Sequence, residues 1–190
     1  MDLGISAVSI AALWPVVAMV AAAMRLRGDR GPVFYRGCRV GEHGRPIKVL
    51  KFRTMYPNAI GGGLTVSDDH RVTPLGRVMR RHKIDELPQL WNVLRGELSL
   101  VGPRPEDPRH VDWNDPLHRK VFSAKPGMTG PAQLRYHREE EILTTPDAAD
   151  TYRTTILPEK LRLDAEYLDR RTLRLDARIL VATARRLLRP

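Results

Sequence analysis

The stretch LGRVMRRHKIDELPQLWNVLRGELSLVGPRP (75–105) carries the most informative pattern of the chain. It holds two helical patterns in succession, with a proline near the start of the second. From Leu75 the apolar residues recur at helical spacing, while the basic residues lie largely off that face. Pro88 cannot lie inside one continuous helix, since it lacks a backbone N–H and its ring clashes with the preceding turn. The pattern therefore predicts a second helix with Asp85 as its N-cap and Gly96 as its stop. Its expected apolar face consists of Leu87, Leu90, Trp91 and Leu94.

Asp85 and Glu86, at the centre of this stretch, are the candidate catalytic residues. A helix N-terminus favours an ionised carboxylate through its free N–H groups and the positive end of its dipole, and it also attracts phosphate. Basic residues directly precede the pair, so Asp85 can attack phosphorus or, together with Glu86, hold a divalent cation. Taken alone, however, the two residues favour ordinary helix capping.

Three basic residues outside the predicted helices are candidates for phosphate binding. Arg104 stands between two prolines, which restrict its backbone and lower the ordering cost of presenting its guanidinium. An arginine in a surface ion pair has the same pattern. The stretch IKVLKFRTM (47–55) alternates apolar and basic residues, which predicts a strand whose solvated face carries Lys51 and Arg53. These two bases either bind phosphate or are merely solvated.

The rest of the chain predicts a mixed α/β architecture of short elements. A strand is expected at 33–35, a turn at 42–45, and stiff loops at 102–105 and 125–130. Two amphipathic helices are expected over Pro158–Leu168 and Leu173–Leu188. Arginines close the second of them, which is favourable both at a helix C-terminus and at an anionic surface.

Residues Leu3–Met24 contain no ionisable side chain, and 22 residues suffice to cross a bilayer core. The segment Arg25–Pro57 that follows holds nine Lys or Arg and two acidic residues, a net charge of +7. An apolar segment with a basic flank favours a membrane helix over a cleaved signal peptide or a core helix. Pro15 leaves two paths open for this segment in the membrane. A kink at the proline would allow a re-entrant hairpin, and the alternative is a straight span. In both cases the basic flank is expected on the cytoplasmic side.

The overall composition narrows the class of protein without identifying it. The chain has 190 residues, a formal charge of +10 and 42% hydrophobic residues, which is typical of a folded domain with an anionic partner. Nucleic acid, lipid headgroups and a phosphorylated substrate are all anionic partners that this positive charge would attract. Its single cysteine, Cys38, excludes an internal disulfide and indicates a reducing compartment.

Taken together, these pieces resemble the signature of the bacterial sugar transferase family, the monotopic phosphoglycosyl transferases. Residues 75–105 carry the most specific part of the resemblance. Other stretches agree in the expected order: GPVFYRGCRVGEHGRPIKVLKFRTM (31–55), DDHRVTPLGR (68–77), KPGMTGPAQL (125–134) and EKLRLDAEYLDRRTLRLDARIL (159–180). The resemblance covers nearly the whole chain and favours a catalytic Asp85 over a capping one.

The resemblance implies an α/β (α+β) fold in two parts. Residues 1–30 are expected to form a re-entrant membrane helix with its basic flank. Residues 31–190 are expected to form a helix-rich catalytic domain with short strands and interfacial amphipathic helices. The implied location is the cytoplasmic face of the bacterial inner membrane.

The implied activity is transfer of a sugar 1-phosphate from a UDP-sugar to polyprenol phosphate, with Mg²⁺. In such enzymes an aspartate forms a covalent phosphosugar intermediate and UMP is released, as the first membrane step in making glycans such as exopolysaccharide or lipopolysaccharide. Asp85 matches that nucleophile and Glu86 its partner in base or metal-linked work, so both are the expected metal ligands. In such enzymes, basic residues lie near the donor. The residues of this chain that match them are Lys51, Arg80 and Arg104. Arg53 is a further candidate for substrate binding. Asp164 and Asp176 match a carboxylate pair whose role stays open.

Two other hypotheses remain at this stage. A non-catalytic, membrane-tethered basic module would hold anionic lipid or nucleic acid, although only eleven aromatic residues argue against single-strand stacking. A degenerate transferase acting as a scaffold is the other, because residues 134–137 depart from the usual family pattern. The resemblance favours the enzyme, with the membrane but no nucleic acid as partner, and the sequence leaves the oligomeric state open.

Overall fold

A computed structural model describes residues 1–27, 31–57, 59, 64–66, 69–143 and 147–187. Its helices are α1 (Asp2–Leu26), α2 (Pro74–Arg81), α3 (Gln89–Leu94), α4 (Pro116–Phe122), α5 (Pro131–Arg135), α6 (Glu139–Ile142), α7 (Ala148–Thr151), α8 (Leu157–Arg170) and α9 (Leu173–Leu187). Its strands are β1 (Phe34–Val40), β2 (Pro46–Phe52), β3 (Ser99–Val101) and β4 (Gly127–Thr129). The predicted fold class, a helix-rich α/β domain with short strands, is confirmed. The predicted boundary after residue 30 adjoins residues 28–30, which lie outside the described residues, and it stays a prediction.

The expected apolar helix forms as α1, a single helix of 25 residues that runs through Pro15. By length and composition it is able to cross a membrane, with a mean hydropathy of 2.1. Only 11% of its most apolar window is buried against the rest of the chain. Large apolar side chains such as Val8, Trp14 and Met19 are exposed. Exposed apolar surface of this extent is typical of a helix that contacts lipid.

Both ends of α1 contact the rest of the protein. At the N-terminal end, the Ser99 hydroxyl donates a hydrogen bond to the Asp2 carboxylate at 2.6 Å. At the other end, Met24 is buried in an apolar cluster with Phe52 and Met79. These contacts hold α1 along one side of the domain.

The predicted strands at 33–35 and 47–55 form an antiparallel hairpin of β1 and β2, with Phe34 opposite Phe52. The strand β2 ends at Phe52, earlier than predicted, so Arg53 lies beyond the strand. The predicted turn at 42–45 forms a short 3₁₀ helix at Glu42–Gly44. The hairpin places Lys51, near the end of β2, beside the centre of the domain.

The first predicted helix of the 75–105 stretch is confirmed as α2, which begins after Thr73. The Thr73 hydroxyl caps it by accepting a hydrogen bond from the Gly76 backbone N–H at 2.9 Å. The second helix differs from the prediction: Ile84–Glu86 form a separate 3₁₀ turn, and α3 begins at Gln89. Lys83 explains the difference, because its left-handed backbone (φ 55°) turns the chain before Asp85.

The role of Asp85 as N-cap was therefore wrong, since Pro88 occupies the N-cap position of α3. Gly96 follows α3 with φ 74°, as expected of a helix stop. The predicted apolar face was also partly wrong. Because α3 begins later, it buries Leu90 and Val93, while Trp91 is 52% exposed.

The predicted loop at 125–130 contains β4, which pairs in parallel with β3. Ser99 lies opposite Gly127, and the backbones come so close that a Cβ on Gly127 would lie 2.1 Å from the Gly102 nitrogen. Glycine is therefore required there by packing, a contact for which apolar periodicity carries no signal.

Both predicted amphipathic helices are confirmed as α8 and α9. The predicted end at residue 188 lies outside the described residues, and the described helix ends at Leu187. One buried cluster joins α4 to α8 through residues such as Phe122 and Leu161. A second joins α3, β3 and α9, with Ile10 and Leu13 of α1 packed against it. These clusters fix the elements around the turn that carries Asp85.

Candidate functional site

Asp85 lies in the 3₁₀ turn between α2 and α3, and it is only 7% exposed. Its Oδ1 atom is buried without a hydrogen-bond partner within the described residues. Burial and the neighbouring Glu86 raise the pKa of Asp85, while the charges of Lys51, Lys83 and Arg80 act in the opposite direction. A buried carboxylate with a free oxygen and three nearby cations is unusual for a structural residue and typical of a reactive one.

The turn that carries Asp85 lies next to the apolar helix. Ile84 packs against the cluster of Met24, Phe52 and Met79, where Val17 and Val20 of α1 also pack. The chain therefore places Asp85 beside the helix that has the exposed apolar surface.

Glu86 is tied to the hairpin by Lys51, whose Nζ atom lies 2.7 Å from the Glu86 Oε1 atom. Burial opposes ionisation of Glu86, but the charges of Lys51 and Arg104 outweigh it and hold the pKa of Glu86 well below its usual range. Glu86 is therefore an ionised carboxylate at neutral pH. The ion pair also fixes Lys51 close to Asp85.

Arg80 and Arg104 approach the carboxylate pair from different elements. Arg80 on α2 donates to the Thr54 hydroxyl at 2.8 Å and to Glu140 at 2.8 Å. The guanidinium of Arg104 makes no hydrogen bond or ion pair with any described residue, although its charge acts on Glu86. The structure therefore brings Lys51, Arg80 and Arg104 near Asp85 and Glu86, and their role in substrate binding stays a prediction.

Arg53 is different, and the expected solvated row of Lys51 and Arg53 does not form. Arg53 is buried, at 9% exposure, because the strand has ended before it. Its Nε atom donates to the backbone carbonyl of Pro32 at 2.7 Å, and a side chain on Gly31 would overlap its guanidinium. These contacts tie Arg53 to the segment before β1, and its role in substrate binding stays a prediction.

The carboxylates Asp164 and Asp176 lie in different surroundings. Asp164 accepts hydrogen bonds from the backbone N–H groups of Arg104 and Ala132, at 3.1 and 3.4 Å. Burial nevertheless raises its pKa to about 7. Asp176 accepts a hydrogen bond from the Tyr167 hydroxyl at 2.6 Å and so joins α9 to α8. Asp164 therefore supports the loop that carries Arg104, and Asp176 supports the packing of two helices.

Comparison with known proteins places the chain in a family. The profile of the family described as "Bacterial sugar transferase" matches residues 1–190. The chain belongs to the bacterial sugar transferase family. The matched range includes every candidate site residue, Asp85 and Arg104 among them.

Several curated relatives of this bacterial sugar transferase are named for the reaction they catalyse. It is 39% identical to the undecaprenyl-phosphate glucose phosphotransferase of Komagataeibacter xylinus, over 97% of this chain and 34% of that protein. It is 35% identical to the UDP-glucose:undecaprenyl-phosphate glucose-1-phosphate transferase of Caulobacter vibrioides, over 99% of this chain and 68% of that protein. A UDP-N-acetylgalactosamine-undecaprenyl-phosphate N-acetylgalactosaminephosphotransferase of Aeromonas hydrophila is 35% identical, over 99% of this chain and 43% of that protein. The chain thus spans between about a third and two thirds of the length of these relatives.

The carboxylates of this sugar transferase suit Mg²⁺ in their chemistry. Within the described ranges, no group of three or more His, Cys, Asp or Glu side chains could hold a metal by itself. Mg²⁺, however, is usually held by one or two carboxylates together with substrate phosphates. The Oδ1 of Asp85, which has no hydrogen-bond partner among the described residues, and the ionised Glu86 fit that requirement.

The sequence interpretation missed a polar network near Arg104, in which Glu106, Tyr152 and Lys160 are buried and Glu139 is partly buried. A signal for them was present on α8. Leu157, Leu161 and Ala165 mark its buried face, and Lys160 and Asp164 occupy the same face at helical spacing. Charged residues at core positions of an amphipathic helix are rarely buried without partners, so this pattern points to a buried polar network.

Proposed function

We propose that this bacterial sugar transferase moves a sugar 1-phosphate from a UDP-sugar to a polyprenol phosphate and releases UMP. The observation that carries the proposal is Asp85, a buried carboxylate among cations and beside α1, with one oxygen that has no hydrogen-bond partner in the part of the chain that the structure describes. The activities for which the relatives are named support the donor and acceptor classes. Because those relatives transfer different sugars, the sugar is left unspecified.

In the first step, an oxygen of Asp85 attacks the sugar-side phosphorus of the donor. A bond forms between this oxygen and phosphorus, and the bond from that phosphorus to the bridging oxygen breaks. The electron pair leaves with UMP, and the sugar phosphate remains covalently attached to Asp85. Because attacking group and donor are both anionic, Lys51, Arg80 and Arg104 offset the repulsion.

In the second step, an oxygen of the polyprenol phosphate attacks the same phosphorus. The bond from phosphorus to the Asp85 oxygen breaks, which regenerates the carboxylate and leaves a lipid-linked diphosphate sugar. A covalent intermediate allows one site to serve a water-soluble donor first and a membrane-held acceptor second. This would be the first membrane step in assembling a bacterial glycan such as exopolysaccharide or lipopolysaccharide.

Mg²⁺ belongs to this proposal, with Asp85 and Glu86 as its protein ligands. When bound, the ion would supply positive charge that polarises the donor phosphates. Lys51 orients Glu86 through the ion pair at 2.7 Å, and the charge of Lys51 also favours the ionised form of Asp85.

The released nucleotide tests the reaction directly. Purified protein in nanodiscs, with a panel of UDP-sugars, polyprenol phosphate and Mg²⁺, is expected to release UMP, because attack falls on the sugar-side phosphorus. Chromatography of the nucleotides measures this, and removal of the metal with EDTA is expected to stop release until Mg²⁺ is added back. Release of UDP would instead indicate an ordinary glycosyltransferase. No turnover, combined with strongly salt-dependent binding of nucleic acid, would favour the basic binding module.

We also propose that the domain lies on the cytoplasmic face of the inner membrane and that α1 enters the bilayer from that face. The contact between Asp2 and Ser99 at one end of α1 and the burial of Met24 at the other support this arrangement. A straight span would carry one end to the opposite face and break one of these contacts. The re-entrant arrangement keeps both.

Cysteine labelling tests the path of α1. In a Cys38→Ser background, Leu3→Cys and Leu26→Cys place reporters at exposed positions near the two ends of α1. We expect a membrane-impermeant maleimide to label neither position in spheroplasts and both positions after the membrane is opened. Labelling of either position from outside would show a spanning helix and contradict the proposal. The exposed Cys38 of the wild-type protein, labelled in a separate preparation, serves as the matched reporter for the domain itself.

A further inference from the structure

A second group of charged side chains is buried behind the candidate site. Lys160 on α8 is 3% exposed and Glu106 is 9% exposed. Lys160 forms an ion pair with Glu139 of α6, and its Nζ atom lies 3.4 Å from the Tyr152 hydroxyl. Tyr152 in turn donates a hydrogen bond to Glu106 at 2.6 Å. The chemistry proposed for Asp85 uses none of these groups.

The backbone N–H of Arg104 donates to Asp164, which lies one turn along α8 from Lys160, and the charge of Arg104 interacts with Glu86 as well as with Glu139 and Glu106. Its guanidinium has no hydrogen-bond or ion-pair partner among the residues that the structure describes. Burial disfavours its charge, but the carboxylates of Glu86, Glu139 and Glu106 outweigh burial and raise the pKa of Arg104. An arginine near three carboxylates ordinarily forms a bidentate pair with one of them. Its lack of such a pair therefore needs a physical cause.

The other partners of these carboxylates supply that cause. Glu139 is held by Lys160, and Glu106 accepts from Tyr152 on one oxygen while the other lies 3.6 Å from His110 Nδ1. The Lys160 ammonium also lies 4.8 Å from the centre of the Tyr152 ring. Glu139 and Glu106 are thereby occupied by other partners, and Glu86 is occupied by Lys51.

We propose that Lys160 is a positioning residue that holds Glu139, and through Tyr152 also Glu106, away from Arg104, so that the guanidinium stays available to the diphosphate of the donor. The inference rests on the proposed function, in which Arg104 binds the donor. Without the Lys160 charge, Glu139 would be a partly buried carboxylate whose remaining strong partner is Arg104. A planar guanidinium fits a carboxylate well, so the two would pair and the anion site would close.

Kinetics with a rescue variant test the inference. Lys160→Met removes the charge at similar volume, and we expect the KM for the UDP-sugar to rise about tenfold, the effect of one lost charge-assisted contact, with a smaller change in kcat. Adding Glu139→Gln should return KM to within about threefold of wild type, because the amide has no charge to attract Arg104. A purely structural role predicts no rescue, since the double variant lacks one more buried partner. Lys120→Met, which removes an exposed lysine paired with Asp169, is the matched control.

Chemical labelling tests the same inference without substrate or turnover. Phenylglyoxal modifies accessible arginines, and peptide mass spectrometry measures the modified fraction of Arg104. We expect labelling of Arg104 to fall several-fold in Lys160→Met and to recover in the double variant. Equal labelling in wild type and Lys160→Met, or failure of the double variant to restore KM, would overturn the inference. If wild type has no transferase activity, the proposed function fails, whereas labelling still decides whether Lys160 keeps Arg104 free.

Discussion

Asp85→Asn is expected to lower turnover by at least about 10³-fold, because an amide oxygen does not attack phosphorus and a covalent phosphosugar cannot form. Incubation with a radiolabelled UDP-sugar in the absence of lipid acceptor should leave label on the wild-type protein and none on the variant. Stability should not fall, since Asn keeps the shape of the side chain. The substitution also removes a buried carboxylate charge, and the Oδ1 atom of that carboxylate has no hydrogen-bond partner within the described chain. Thermal denaturation in detergent measures this second expectation.

A matched substitution separates catalysis from a structural role. Asn caps helices about as well as Asp, so an aspartate that serves only as an N-cap should tolerate the change. Asp115 is the matched control, because it is a true N-cap that accepts a hydrogen bond from the Leu117 backbone N–H at 2.7 Å. Asp115→Asn is expected to keep both activity and stability. Full activity in Asp85→Asn would end the assignment of Asp85 as nucleophile.

Lys51→Met is expected to have the second-largest effect, a loss of roughly 10²-fold or more in kcat/KM. The substitution leaves Glu86 partly buried without its ion-pair partner and removes a cation that favours ionised Asp85. Unfolding free energy should fall by about 1–3 kcal/mol at pH 7, the usual range for leaving one partner of such a pair alone. Activity assays and denaturation with urea measure the two effects.

The pKa of Glu86 determines in which direction the unfolding free energy changes with pH. The pKa of Glu86 in the folded protein lies below its ordinary value of 4.5. The stabilising contribution of its ionised form is therefore fully present above that value and is lost as the pH falls towards the folded pKa. The stability difference between wild type and Lys51→Met should accordingly shrink below about pH 4.

Lys48→Met is the matched control for Lys51→Met. Lys48 lies on the same strand but is exposed, and only its backbone carbonyl has a described role, as acceptor from Asn92. We expect the control to keep wild-type activity and stability. If Lys48→Met reduced activity as much as Lys51→Met, general loss of positive charge would explain both, and the specific role of Lys51 would be wrong.

Local patterns were enough to predict the four longest of the described helices. The signal is strong because α1 is apolar all round over 25 residues, whereas α2, α8 and α9 each have at least two turns and one apolar face. The short elements β3 and β4 were not predicted. Three residues per strand carry no usable period, and their pairing depends on the approach of Gly102 and Gly127 from distant parts of the chain.

The candidate site was predicted in part. A specific family resemblance identified Asp85, Glu86, Lys51, Arg80 and Arg104, and the structure brings them together. Arg53 had the same pattern as Lys51, and only the end of β2 at Phe52 separates a residue near the carboxylates from one held against Pro32. A period of two cannot show where a strand ends, because strand ends depend on hydrogen bonds to other segments.

By itself, the sequence determined the helix-rich class, the apolar helix with its basic flank, and the identity of the central carboxylates, because these follow from composition, periodicity and a local motif. The tertiary structure decided that Lys83 turns the chain before Asp85, that Ile84 packs beside α1, and that Lys160 engages Glu139 behind Arg104. The reason is physical. Burial and charge pairing depend on side chains brought together from distant positions, and each residue's local neighbours carry no record of those partners.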